Sequence, residues 1–390
     1  MEMERLIVNI GSSSKKYALF VGDEQVFACH FERENNGFLV SIVREGYVEK
    51  EEISEEVFKK ACVHFLELYK KYFGEKTIST LGIRVVAPGD YFQKHRVIDE
   101  EFLERLHKAK ALAPLHIHAT LEEITLLKEV FPETKLVAAS DSAFHSDMPS
   151  VARSYGLPLT LTESDSVKRF GYHGLSVSSV AQRLQHHLGG VLPEKIIVLH
   201  LGAGCSVTAL KNGKTVDTSM GFTPLEGLVM STRSGSFDPS IIFSLLEQGK
   251  TKEEIENIVN KQSGLFGLSG MTSDMREIIA LKNEGNVVAG HAFDIFVYQI
   301  IKYIGAYSLV LGGVDAIVFT GTIGERSFIV RERVVRDISS FFVGVNKEVN
   351  DKEDGSLTHV SLISDELSQV RVFVVPADES KAILQAMSTC

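Results

Sequence analysis

The feature that most constrains this chain is a pattern that occurs twice: a short apolar strand, a loop of small residues, and a hairpin. Residues 6–9 form an apolar run that enters Gly11-Ser12-Ser13-Ser14-Lys15-Lys16. Strands at 17–21 and 25–30 follow, joined by a turn at Gly22-Asp23-Glu24. Residues 195–201 form a second such run, entering Gly202-Ala203-Gly204-Cys205-Ser206. It continues into strands at 207–210 and 215–218 with an Asn212-Gly213 turn between them. Aligned without gaps, Gly11 meets Gly202, Ala18 meets Ala209, Leu19 meets Leu210 and Gly22 meets Gly213. Four identities over so short a span fit either coincidence or a duplicated fold whose halves open in the same way.

Helical and strand patterns alternate through the remainder. Residues 54–72 repeat with helical periodicity behind Ser54, 80–86 and 135–139 read as strands, and 121–131 and 176–188 as helices. Further helices are expected at 239–248, 252–261, 287–311 and 327–342, a strand at 316–319 before Thr320-Gly321-Thr322-Ile323-Gly324-Glu325, a strand at 370–375, and a terminal helix at 378–387. Such alternation means an α/β protein, and 390 residues suffice for two domains. No Pro/Gly/Ser-rich linker divides the chain. The net charge of −10 argues against a nucleic-acid partner, since such a surface repels phosphate without a local basic patch. The longest apolar stretch, 303–314, is shorter than a membrane span, the acidic start does not read as a secretory signal, and the four cysteines form no C-x-x-C pair. These features suggest a cytoplasmic protein without a zinc site or a disulfide framework.

Three loops rich in Gly, Ser and Thr lie at strand ends, at 11–16, 202–206 and 320–325. Small residues there let backbone N–H groups approach a phosphate, and hydroxyls or a lysine add donors. Any one of them reads equally well as a tight turn; three together point to a polyphosphate ligand. A Walker-type loop is absent, because Gly213-Lys214-Thr215 and Gly249-Lys250-Thr251 lack the required upstream glycine. Arg84 sits inside an apolar strand, where an unpaired guanidinium is costly to bury, and Asp141 closes another strand. The plain structural reading makes these two a buried ion pair, and makes His116, His173 and Arg233 hydrogen-bonded structural groups.

Taken together, the motifs resemble the acetokinase family within the sugar-kinase/hsp70/actin superfamily. The likeness rests on Asn9-x-Gly11-Ser12-Ser13-Ser14-x-Lys16, Arg84-Val85-Val86, Leu112-Ala113-Pro114-Leu115-His116, Asp141-x-Ala143-Phe144-His145 and Gly171-Tyr172-His173-Gly174. The block from Asp217 to Leu228, with Thr232-Arg233-Ser234-Gly235 behind it, is the most specific, and Ser273-Asp274-x-Arg276, Ile323-Gly324-Glu325 and Pro376-x-Asp378-Glu379 follow in family order. The resemblance implies duplicated actin-like (ribonuclease H-like) α/β domains, each built on a mixed five-stranded sheet, with a catalytic cleft between them. Residues 1–144 with 380–390 would form the first domain, and 145–379 the second. It implies a homodimer, and a reversible Mg²⁺-dependent transfer of phosphoryl (Mn²⁺ as a possible substitute) from ATP to acetate, giving acetyl phosphate and ADP.

The site residues the resemblance implies are as follows. Arg84, His116, Asp141, His173 and Arg233 would act on the transferring group. Asn9 and Glu379 would hold the metal. Ser12, Ser14, Lys16, His200, Leu201, Gly202, Ala203 and Gly204 would cradle phosphates. Asp274, Met275, Arg276, Thr322, Ile323, Gly324, Glu325 and Arg326 would surround the nucleoside, and Val86, Leu115, Tyr172 and Pro224 would form an acyl pocket that is apolar apart from one hydroxyl. This chemistry needs no strong base, because acetate is already ionised at neutral pH; it needs positive charge and orientation.

The chain departs from the family pattern at Ala203, Thr322 and Arg326, where Asn, Gly and Asn are usual, so it is the hold on the phosphoryl donor that these changes touch. Two alternatives stay open at this point. One is an acyl kinase that uses pyrophosphate or a longer carboxylate; the other is a non-catalytic actin-like nucleotide sensor.

Overall fold

The computed structural model describes residues 4–11, 14–34, 37–74, 77–110, 112, 114–164, 167–341, 343–353 and 359–390, without the side chains of residues 34, 114–116, 163 and 164. The chain divides into two compact units, Met1–Ala143 with Asp378–Cys390, and Phe144–Ala377. Glu379 therefore belongs to the first unit, whereas the sequence reading assigns it to the second.

The first unit is built on one sheet. Its strands are β1 (Glu4–Ile10), β2 (Ser14–Val21), β3 (Glu24–Glu34), β4 (Gly37–Arg44), β5 (Tyr47–Ile53), β6 (Ile78–Val85), β7 (Arg96–Val97) and β8 (Lys135–Ser140). They lie in the order β5-β4-β3-β2-β1-β6-β8-β7. In the second unit, β9 (Lys195–Leu201), β10 (Cys205–Lys211), β11 (Lys214–Thr218), β12 (Ala316–Thr320), β13 (Ser361–Leu362) and β14 (Arg371–Val374) lie in the order β11-β10-β9-β12-β14-β13. The expected five strands are thus a kernel within larger sheets. β3-β2-β1-β6-β8 and β11-β10-β9-β12-β14 have the same order and senses, three strands antiparallel and then two added in parallel. That identity decides for duplication. The alignment that matches Gly11 with Gly202 also sets Asn9, near the end of β1, against His200, near the end of β9.

The chemistry of the turns explains the repeat. Asn212 and Gly213 both have positive φ, 51° and 76°, which suits a two-residue turn between right-twisted strands, and Gly22 at φ 60° does the same work between β2 and β3. Helical segments differ from expectation in several places, and the helix expected at 121–131 begins already at Pro114. Residues 54–72 break at Lys60 into Glu55–Lys59 and Ala61–Phe73. The helix expected from 327 is preceded by another, Gly321–Arg326, formed by residues the sequence reading treats as a loop.

In the first unit, helix Ala61–Phe73 packs Phe65 and Leu68 into a core with Tyr17, Phe27 and Phe31 of the sheet. The terminal helix Glu379–Met387 packs on β1, β6 and β8. Gly82 permits this approach, because a Cβ there would lie 2.5 Å from Met387 Sδ and 2.8 Å from Ile383 Cγ2. In the second unit, helix Val287–Leu311 meets β9, β10 and β11 and buries Phe293, Phe296, Ile300 and Ile304. By length and composition it is apolar enough to cross a membrane, but those contacts make it a core helix of this unit.

Candidate functional site

In the first unit the close approach of the terminal helix brings three charged groups together. Arg84, near the end of β6, places Nη2 2.9 Å from Asp141 Oδ2 and Nη1 3.7 Å from Glu379 Oε2. Asp141 follows β8 and its N–H donates to the Val85 carbonyl at 2.9 Å, so two parallel strands fix the pair. Asn9 Nδ2 donates to Glu379 Oε2 at 2.6 Å, and Arg84 Nη1 lies 3.5 Å from Asn9 Oδ1. Burial alone lowers the pKa of Arg84, but the carboxylates of Asp141 and Glu379 outweigh it and the guanidinium is held charged. Two carboxylates around one guanidinium leave one net negative charge beside an amide. Such oxygen donors fit a hard divalent cation that keeps part of its water. No group of three or more His, Cys, Asp and Glu that could cage a metal occurs among the described residues.

In the second unit the loop between β9 and β10 is flanked by two histidines and an arginine. His173 has φ +60° and N-caps helix Gly174–His187. Its Nδ1 lies 3.0 Å from Ser206 Oγ, and its ring stacks on His200 at 4.1 Å between centroids. His200 Nδ1 in turn lies 2.8 Å from Ser176 Oγ. A Cβ on Gly204 would sit 3.1 Å from Arg233 Nη2 and 3.2 Å from His173 Nε2, so glycine there keeps backbone, arginine and histidine in one small space. Arg233 Nη1 donates to the Pro224 carbonyl at 2.7 Å.

Beside this loop lies a cavity of about 580 Å³ lined by Ala203, Ser231, Asp274, Met275, Arg276, Thr322, Ile323 and Arg326, among others. Asp274 N-caps helix Met275–Asn283 through Arg276 N–H, and the Arg276 side chain, hydrogen-bonded back to it, holds its carboxyl below the usual range. Thr322 and Arg326 are exposed on helix Gly321–Arg326.

Several residues of the sequence reading stand elsewhere. Leu201 is wholly buried, and Gly324 packs toward Phe319 and Leu199. Glu325 turns its carboxylate onto protein donors: Oε1 accepts from Gly321 N at 2.8 Å, Ala377 N at 3.1 Å and Thr320 Oγ1 at 3.2 Å. It is a structural brace for the helix, with that oxygen engaged by protein. The hydroxyl expected in the acyl pocket is likewise engaged, since Tyr172 Oη donates to the Phe222 carbonyl at 2.7 Å. Lys16 is exposed and Ser14 half-buried on β2, Val86 is half-buried after β6, and Pro224 is buried. Ser12 lies outside the described residues. Leu115 and His116 fall in helix Pro114–Val130, and their side chains lie outside the description.

The sequence reading missed Arg331. It is fully buried, and its guanidinium donates to the carbonyls of Gly324, Glu325, Asn350 and Glu353 and to Asn350 Oδ1. Burial lowers its pKa to about 10.

The duplicated kernel, with a histidine and an arginine beside a glycine loop and an adjoining cavity, has the parts that phosphoryl transfer requires. Residues 4–385 match the model of the acetokinase family. An acetate kinase from Caldanaerobacter subterraneus subsp. tengcongensis is 40% identical over 393 residues, 98% of this chain and 97% of that protein. Among solved structures, a propionate kinase from Francisella tularensis subsp. tularensis SCHU S4 superposes with TM-score 0.89 at 34% identity, covering 98% of each chain. The acetate kinase of Porphyromonas gingivalis superposes with TM-score 0.85 at 34% identity, covering 99% of each chain. The chain belongs to the acetokinase family. It is an enzyme, a kinase that transfers phosphate to a carboxyl acceptor.

Proposed function

We propose that the protein catalyses reversible, Mg²⁺-dependent, in-line phosphoryl transfer from ATP to acetate. The observation that carries this reading is the meeting of His173 Nε2 and Arg233 Nη2 at Gly204 beside a nucleotide-sized cavity. Ala203 and Gly204 offer backbone N–H groups to the phosphates, and Ser14 and Lys16 are inferred from the family motif as further donors. Asp274 to Arg276 and Thr322 to Arg326 surround the nucleoside. His173, fixed by Ser206 and His200, donates to the transferring phosphoryl, and Arg233 and Arg84 stabilise anionic charge that grows as two like-charged partners are brought together. Asp141 holds Arg84 in place and orients the acceptor. Val86, Leu115, Tyr172 and Pro224 form the acyl pocket, and His116 assists.

Asn9 and Glu379 would hold Mg²⁺. When bound, the cation would neutralise part of the phosphate charge. A hydroxylamine-trapped acyl phosphate assay over ATP, GTP and pyrophosphate against acetate, propionate and butyrate tests the whole reading. Acetyl hydroxamate should form with ATP and Mg²⁺, and no product from any pair would overturn it. The longer acids belong in this assay because one structural relative is a propionate kinase.

Base selectivity should be weak. Thr322 puts a β-branched side chain, and Arg326 a charged one, on the exposed face of the helix that lines the cavity. GTP or ITP should therefore support rates within roughly tenfold of ATP, about 1.4 kcal/mol. Thr322→Gly should tighten ATP more than it alters pyrophosphate use. Competition kinetics giving a preference for ATP above about a hundredfold, or 2.7 kcal/mol, would overturn this.

A second copy of the chain is the expected partner. Helix Ser240–Glu247 buries none of its residues although Ile241, Phe243 and Leu246 are apolar and exposed, as are Tyr298, Leu309 and Val310 of helix Val287–Leu311. Apolar area on this scale marks an interaction surface. Sedimentation equilibrium should give a dimer, and Phe243→Glu should shift it toward monomer.

A further inference from the structure

The Phe222-Thr223-Pro224 turn carries the carbonyl that Arg233 contacts, and its Phe222 peptide groups are held on both sides by tyrosine hydroxyls. Tyr155 Oη accepts Phe222 N–H at 2.8 Å and donates to Glu226 Oε2. Tyr172 Oη donates to Phe222 O. Glu226 is fixed in turn by Arg169, with Nη1 2.9 Å from Oε1, and Arg169 also donates to the carbonyls of Ala152 at 3.2 Å and Thr218 at 3.3 Å. Gly221 makes room for this bracing, because a Cβ there would collide with Glu226 and Tyr155. Burial first, and then the charge of Glu226, push the Tyr155 hydroxyl well above its ordinary range, so it stays protonated and keeps donating.

We propose that Tyr155 is a positioning residue for the acyl pocket, holding the Phe222–Pro224 turn, and through it the Pro224 wall and Arg233, in a preset place that selects acyl chain length. This rests on the reading that Pro224 and Arg233 face the carboxylate substrate. One methylene is worth only about 10–200-fold in an apolar pocket, and that discrimination exists only while the wall cannot yield. Removing the Tyr155 hydroxyl leaves Phe222 N–H without its acceptor but leaves Glu226 paired with Arg169, so the half-buried carboxylate stays compensated. The turn then moves while the surrounding structure holds.

The experiment compares wild type with Tyr155→Phe, and with Glu226→Gln as a second weakening of the same brace outside the pocket. It measures kcat/KM for acetate, propionate and butyrate, and KM for ATP. For Tyr155→Phe, the ratios between acids should move toward one by roughly tenfold, with KM for the preferred acid raised and KM for ATP unchanged. Glu226→Gln should move the ratios in the same direction, and it decides the matter if Tyr155→Phe does not fold. Unchanged ratios, or equal losses for all acids together with a raised KM for ATP, would overturn the proposal. A wild-type protein that makes no acyl phosphate would overturn the functional reading beneath it, whereas an active wild type whose variants keep the ratios would overturn the clamp alone.

Discussion

Arg233→Ala should lower kcat by about 10²–10³-fold, because it removes a half-buried guanidinium that donates to the Pro224 carbonyl and lies beside Gly204 and His173. Arg84→Ala should lose activity on a similar scale and stability as well. Asp141 is fully buried and its Oδ2 lies 2.9 Å from Arg84, so deleting the arginine strands a carboxylate away from water. Breaking such a pair costs about 3–5 kcal/mol. On the sequence alone, folding would be little affected if both arginines face the cleft; the contact of Arg84 with a fully buried Asp141 gives that arginine a structural role as well. Arg84→Ala with Asp141→Asn resolves the two roles. The neutral amide removes the stranded charge, so the double variant should regain most of the lost stability, read from its urea midpoint, yet stay inactive. A double variant that recovers activity along with stability would show that Arg84 serves only as the partner of Asp141.

The two arginines also show what could be read from residues alone. A guanidinium inside an apolar strand had to find a carboxylate, and Asp141 at the end of a strand was available; hence the ion pair was legible in the residues, while the functional reading came only from the family resemblance. The repeated hairpin was legible because Asn-Gly and Gly at fixed offsets have few other uses. β4 and β5 were not. Tyr-Val-Glu-Lys-Glu-Glu-Ile has no buried face on this edge strand, so the alternation that marks a strand is absent from it. Helix Gly321–Arg326 was hidden by Gly321, Thr322 and Gly324, poor helix formers that tertiary contacts with Glu325 and Arg331 override. Tyr155 gave no signal because its partners, Phe222 and Glu226, are far along the chain.

Arg331 is a second residue whose loss should cost several-fold more stability than an ordinary surface change. It stands in Ile329-Val330-Arg331-Glu332-Arg333 and, read as sequence, is one of several helix arginines. In the fold it is fully buried while Arg333 lies nearer solvent. Its five hydrogen bonds tie the end of helix Gly321–Arg326 to residues 350 and 353, with a carbonyl or amide oxygen as every acceptor. Arg331→Met keeps much of the side-chain volume and removes all five donors. Each buried acceptor left unsatisfied costs about 1–3 kcal/mol, and since such costs do not add, a loss of at least about 3 kcal/mol is expected. At roughly 2–4 °C per kcal/mol for a unit of this size, Tm should fall by roughly 6–12 °C. Helix Gly321–Arg326 also lines the nucleotide cavity through Thr322, Ile323 and Arg326, so KM for ATP should rise in the fraction still folded. Arg331→Lys retains the charge but replaces the planar fork with a single ammonium, and should fall between the two. Thermal denaturation with and without ATP checks this: the nucleotide should raise Tm less in Arg331→Met than in wild type at the same concentration, because weaker binding gives less stabilisation. An Arg331→Met protein that melts within about 2 °C of wild type, well under the shift for 3 kcal/mol, would mean that water satisfies these carbonyls and that the arginine does not hold the helix.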